Sequence, residues 1–104
     1  MYPSDLIDKV LKSVDIVNLI SSYIHVEAKG RNYWALCPFH DDKHASLSIS
    51  LEKQIFKCFS CNTSGNAITF VQKYEKISFD DAVKKVAAFS GYSDPRLLRG
   101  YTQK

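Results

Sequence analysis

Three cysteines, Cys37, Cys58 and Cys61, fall inside one 25-residue stretch of this 104-residue chain. They form two knuckle-like pairs, Cys37-Pro-Phe-His40 and Cys58-Phe-Ser-Cys61, each with two residues between. Residues 41–57, 17 positions, separate the pairs, inside the ~15–20 interval that reads as a zinc site. A two-residue gap lets a tight turn aim both side chains at one ion while local N–H groups face the thiolate sulfurs. Imidazole and thiolate together suit Zn2+, and four protein ligands leave no open position for water. The expected metal is therefore one structural Zn2+ held by Cys37, His40, Cys58 and Cys61. His44 is the rival fourth ligand, but CxxxxxxH makes a poorer knuckle than CxxH. His25 reads as an ordinary strand or surface histidine. Three buried, unligated cysteines are the bland alternative, and they would have no reason to fall in CxxH and CxxC pairs.

Something must carry the second pair back to the first. Leu47, Ile49 and Leu51 alternate with Ser46, Ser48 and Ser50, as in a half-buried strand. Glu52-Lys53-Gln54 reads as a polar turn, and Ile55–Cys58 returns as a second strand, giving a hairpin and an antiparallel sheet. Upstream, Asn32–Leu36 reads as an aromatic-rich strand after a turn at Gly30. On it Arg31, Tyr33 and Ala35 share a side with Cys37, opposite Asn32, Trp34 and Leu36.

Helices flank this centre. Leu6, Ile7, Val10, Leu11 and Val14 have helical spacing behind Ser4 as an N-cap, and Asp15 caps a second segment through Tyr23. After Gly65 the period is again 3.6. Asn66 caps a helix with Ala67, Ile68, Phe70, Val71 and Tyr74 on one face. Ser78 and Asp81 resemble a capping box for a helix bearing Ala82, Val83, Val86, Ala87 and Phe89, stopped by Gly91. The expected class is α+β, an antiparallel sheet flanked by helices. Residues 1–92 form the domain, and 93–104 are a tail or the start of a linker.

Composition sets the bounds. The chain is 45% hydrophobic and 24% charged, which is globular and one domain's worth of material. No apolar run approaches the ~20 residues of a membrane span, and no signal-peptide layout opens the chain, so a cytoplasmic protein is expected. The net charge of +3 is spread along the sequence with no basic arm. Lys43 and Lys53 lie near the two ends of the strand 45–51, and Lys57 lies beside Phe56. Cations interleaved with aromatics suit single-stranded nucleic acid, since cations track phosphates and rings stack on bases.

Gly30-Arg31-Asn32-Tyr33, Leu36-Cys37-Pro38-Phe39-His40, Phe56-Lys57-Cys58-Phe59-Ser60-Cys61 and Gly65-Asn66-Ala67-Ile68-Thr69-Phe70 follow in order. Together with Val14-Asp15-Ile16-Val17, they resemble the N-terminal zinc-binding domain of bacterial DNA primases, the CHC2 zinc finger. The likeness covers about residues 4–91. It implies a zinc ribbon, and the same four metal ligands. It also implies a module that recognises single-stranded template DNA and assists the start of RNA primer synthesis, beside a separate polymerase domain in cis or trans. A replicative helicase is a further implied partner. By this match Arg31, Tyr33, Lys43 and Lys53 are candidate DNA contacts, and Lys57 joins them from its own place between the ladder and the zinc. The chain departs from the family's usual pattern at Lys43-His44-Ala45-Ser46-Leu47, where the resemblance leads one to expect Lys-Thr-Pro-Ser-Phe, and at Ser60 and Asn62, where glycines are usual.

Asp41-Asp42 and Asp80-Asp81 are adjacent pairs in different segments, and adjacent carboxylates splay apart, so no Mg2+ cluster for polymerisation is visible. Three readings compete: a template-binding module of a primase, excised or as a free-standing mobile-element relative; a zinc ribbon that meets a protein partner; and a zinc hydrolase or deaminase. The last needs an open coordination position, which four protein ligands deny.

Overall fold

The computed structural model describes residues 2–40 and 44–97. Helix α1 (Ser4–Ser13) buries Leu6 and Val10. Its cap position belongs to Pro3 and not to Ser4, which is already helical. Proline fits there because its φ is fixed and its missing N–H is not needed, and its carbonyl accepts from Leu6 N at 3.1 Å and Ile7 N at 3.2 Å. Asp15 does cap α2 (Ile16–Ser21), its carboxylate accepting from Val17 N and Asn18 N.

Five strands follow among the described residues: β1 (Glu27–Lys29), β2 (Asn32–Ala35), β3 (Leu47–Ser50), β4 (Ile55–Cys58) and β5 (Ser64–Gly65). They pair in sequence order, every neighbour antiparallel. The hairpin of β3 and β4 is as expected, whereas β1 and β5 carry no sequence signal, being three exposed residues and two. Leu51 leaves the alternation: β3 ends at Ser50, and Leu51 is an exposed member of the turn. That turn closes with Gln54 in the left-handed region at φ 56°, its N–H bonded to Ser50 O at 2.8 Å.

Registers fix which side of the sheet meets the core. One cross-sheet row runs Ala28, Tyr33, Ile49, Phe56, Gly65, and beside it lie Ala35, Leu47 and Cys58. Ile49, Phe56, Ala35, Leu47 and Cys58 are all buried, so this is the inner face. The opposite row, Glu27, Trp34, Ser48, Lys57, Ser64, is the outer face.

Helix α3 (Ala67–Glu75) lies close to the sheet. Gly65 permits that approach: a Cβ there would sit 2.6 Å from Thr69 Cβ. Asn66 caps α3 by accepting from Thr69 N at 3.0 Å. Ala67, Ile68, Phe70 and Val71 are buried, while Tyr74 is half out and stacks on Phe70 at 5.6 Å. Helix α4 (Phe79–Ser90) begins at Ser78, whose hydroxyl accepts from Asp81 N, and stops at Gly91 with φ 77°. It packs on α3 and α1 through Ala82, Val83, Val86 and Ala87. Phe89, expected on that face, is exposed instead, because the inward stripe has turned past it by the last turn.

Phe70 is the hub where these layers meet. It is fully buried, with ring centroids 5.5 Å from Phe39, 5.6 Å from Phe56 and 5.8 Å from Tyr23. Residues 94–97 return to α1: Arg96 bonds Asp94 and reaches Asp5 at 3.1 Å, and Leu97 is buried.

Candidate metal centre

Two turns at one end of the sheet bring four donor atoms together. Cys37 and His40 belong to the segment that leaves β2, and Cys58 ends β4 with Cys61 three residues on. Their ligand atoms all lie within 4.8 Å of one another. Cys37 Sγ is 3.9 Å from Cys61 Sγ, and His40 Nε2 is 3.4 Å from Cys58 Sγ. Zn–S bonds of ~2.3 Å and Zn–N bonds of ~2.0–2.1 Å at tetrahedral angles put sulfurs about 3.8 Å apart, and sulfur and nitrogen about 3.6 Å apart. The donor set and its edges therefore fit one tetrahedral ion. Among the described residues, no other group of three or more His, Cys, Asp or Glu side chains gathers closely enough to hold a metal.

The four donors have different surroundings. Cys37 and Cys58 are buried and Cys61 is exposed, with Thr63 Oγ1 at 3.2 Å from its sulfur. Around Cys58 Sγ stand Ser46 Oγ, Ser60 N and Cys61 N, each at 3.4 Å. The amides of Ser60 and Cys61 point at it because the chain doubles back there, with Asn62 N bonded to Cys58 O at 2.9 Å. Asn62 has φ 65°, a left-handed conformation that asparagine tolerates better than most residues.

Burial is the largest single influence on Cys58 and raises its pKa. The Ser46 hydroxyl, the Cys61 amide, His40 and the Ser60 amide together outweigh it and bring the thiol down to about 6. For Cys37, burial leads and outweighs the Phe39 N–H, pushing the thiol up to about 12. A cation is what would hold that buried sulfur as thiolate. The hydrogen bonds that Cys58 receives orient it and spread its charge, the part that outer-shell groups play around metal ligands.

His44 and His25 stand outside the quartet. His44 is exposed, and His25 Nε2 bonds Glu27 Oε2 at 3.0 Å on the surface. The candidate nucleic-acid contacts are scattered. Lys57 is exposed on the outer face, Arg31 lies in the turn joining β1 and β2, and Lys53 lies in the turn joining β3 and β4. Tyr33 is on the inner face, half-buried against the core. Lys43 lies outside the described residues. Beside Lys57 stand two aromatics that sequence reasoning did not single out, Trp34 and Phe59. Their ring centroids are 6.1 Å apart, and Lys57 Nζ is 5.6 Å from the Phe59 centroid. The signal that could have found Trp34 was its parity opposite Cys37.

The family model described as CHC2 zinc finger matches residues 2–99. The chain is 47% identical over 89 residues to a DNA primase of Geobacillus stearothermophilus, covering 86% of this chain and 15% of that protein. With a DNA primase of Pseudomonas aeruginosa it shares 40% over 100 residues, covering 96% of this chain and 15% of the relative. Its fold is similar to the crystal structure of the Aquifex aeolicus primase (zinc-binding and RNA polymerase domains), with a TM-score of 0.80 and 44% identity. That match covers 86% of this chain and 22% of the other. The chain thus spans about 15% of the length of these two curated relatives. A zinc-finger match and a closed Cys3His quartet identify one structural zinc ion as the resident metal.

Proposed function

The chain belongs to the CHC2 zinc-finger family, the zinc-binding domain of DNA primases, and we propose that it recognises single-stranded template DNA for such an enzyme. Cys37, His40, Cys58 and Cys61 are the zinc ligands in this reading. The ion's task is mechanical: when bound it supplies the cross-link between the segment after β2 and the segment after β4. With all four positions taken by protein, it has no site for a water nucleophile. The chain's own residues do the rest. Ser46 and the amides of Ser60 and Cys61 steady the Cys58 sulfur, and Phe39, between Cys37 and His40, anchors the first knuckle against Phe70.

The observation that carries the reading is the sheet's outer face. It lies beside the knuckles, its strand residues Glu27, Lys29, Lys57 and Ser64 are exposed, and Arg31 is exposed in the turn between β1 and β2. Among the strand residues of that face Lys29 and Lys57 stand against Glu27, so cations are in excess on it. Extended DNA laid across such a face meets ammonium and guanidinium groups able to follow its phosphates. Polymerisation, in this proposal, is the work of a polymerase domain in cis or trans, and the module's part is to hold template for the start of an RNA primer. A replicative helicase is a further partner it would meet there.

The salt dependence of oligonucleotide binding tests it. If about three phosphates are neutralised, log affinity should fall with log salt at a slope near ~−2. Arg31→Ala and Lys57→Ala should each lessen that slope while zinc content stays stoichiometric. Absence of oligonucleotide binding at low salt would end the template reading and assign the face to a protein partner.

A further inference from the structure

Two aromatic rings on the outer face take no part in the core. Trp34 stands mid-strand in β2, between Glu27 and Ser48 in the outer row. Phe59 follows β4 directly and is 63% exposed. The two ring planes lie 31° apart, and the Lys57 ammonium sits by the Phe59 ring. Trp34 also walls a groove of about 700 Å3 that continues past Leu36 and Pro38 to His40. A groove of that size is in the range of small-ligand sites and larger than a single nucleotide needs. Ser48 and Ser64 in the same row are small, so nothing bulky on β3 or β5 screens the rings.

Resting on the template reading above, we infer that Trp34 and Phe59 form the seat on which one unpaired template base stacks, with Lys57 beside it for the adjoining phosphate. An indole offers the widest π-surface of any side chain, and stacking on it is tolerant of base identity. Bases inside a duplex have both faces occupied by neighbours, so this seat selects single strands by geometry. Charge argues for the same occupant: among the strand residues of this face Lys29 and Lys57 outnumber Glu27, and Arg31 is exposed in the turn between β1 and β2. The seat also differs from Tyr33, which packs against the core, whereas its neighbour Trp34 is half-buried on the outer face.

Trp34 is the single tryptophan of the chain, so its emission reports on the seat alone. Zinc-loaded full chain is titrated with a short oligo-dT, following labelled-oligonucleotide anisotropy and, separately, tryptophan emission. Binding should quench the emission. Trp34→Leu, which keeps apolar bulk without a π-face, and Phe59→Ala should each weaken binding roughly 5- to 150-fold. Zinc content and melting temperature should be retained, and Trp34→Phe should restore most of the affinity. Anisotropy that reports binding while emission stays unchanged, or Trp34→Leu binding like the parent, would overturn the seat and leave the template reading standing. A parent chain that binds no oligonucleotide at low salt would overturn both.

Discussion

Replacing Phe70 with alanine should cost more than any other single truncation in the core, and it should loosen the metal as well. The side chain is fully buried and meets four rings: Tyr23 after α2, Phe39 in the first knuckle, Phe56 on β4 and Tyr74 one turn along its own helix. Truncating a buried phenylalanine costs about 3–5 kcal/mol in lost transfer energy and residual cavity. Pairing among aromatic rings adds ~0.5–1.5 kcal/mol per pair beyond area, so the upper end applies here. A domain of this size has only ~5–15 kcal/mol in all. At roughly 4–8 °C per kcal/mol, the zinc-loaded variant should melt roughly 20–40 °C below the parent. Phe39 supplies the second consequence. It lies between Cys37 and His40 and packs edge-on against Phe70 at 5.5 Å, so a void there frees the knuckle to open. Zinc transfer to a chromophoric chelator should therefore be faster in Phe70→Ala, whereas Tyr74→Ala, cut at a half-exposed ring, should change it little. Calorimetry and stopped-flow chelation measure the two effects. A melting point within ~5 °C of the parent would refute the hub, and an unchanged release rate would refute its link to the metal.

Removing zinc, by chelation or by Cys58→Ser, should abolish the sheet's cooperative melt. Structural zinc contributes an apparent ~10–16 kcal/mol in small peptides, as much as the whole domain's stability, while the apolar contacts of α1 with α4 should keep part of the helical circular dichroism. An identical melt in metal-free protein would contradict this. The Glu75 carboxyl is held below its ordinary 4.5 first by the Tyr23 hydroxyl and then by Lys85. A depressed folded pKa gives stability that is present above 4.5 and lost as pH falls through the folded value. The stability gap between parent and Tyr23→Phe should accordingly narrow on acidification below pH 4.5, and a gap that widens in urea melts would refute the sign. Ending the chain after residue 92 removes Leu97, 7% exposed, and the Arg96 bridge between Asp94 and Asp5. Burial of one leucine alone is worth ~1.5–3 kcal/mol, so the shortened chain should melt lower, and an equal melting point would make 1–92 the complete folding unit.

What could be read locally in this sequence was local in its physics. Two CxxH/C-type pairs at ligand spacing, the caps at Asp15, Asn66 and Ser78, the glycine stop at 91 and the period-two run in β3 each depend on a few adjacent residues. Such signals survive without knowledge of neighbours, and all of these stand in the structure. The parity of β2 was legible too, with Tyr33 and Ala35 on one side and Trp34 and Leu36 on the other. Which side meets the core was not, because that depends on where α3 and Phe56 come to lie, far along the chain. The same dependence hid β1 and β5, whose three and two residues become strands only through ladders with β2 and β4. It also put Leu51 in a turn and Phe89 in solvent, since apolar character marks a residue for burial only if a partner surface arrives over it. The sequence thus determined the metal chemistry of this protein, and tertiary packing decided which face of the sheet stands free beside it.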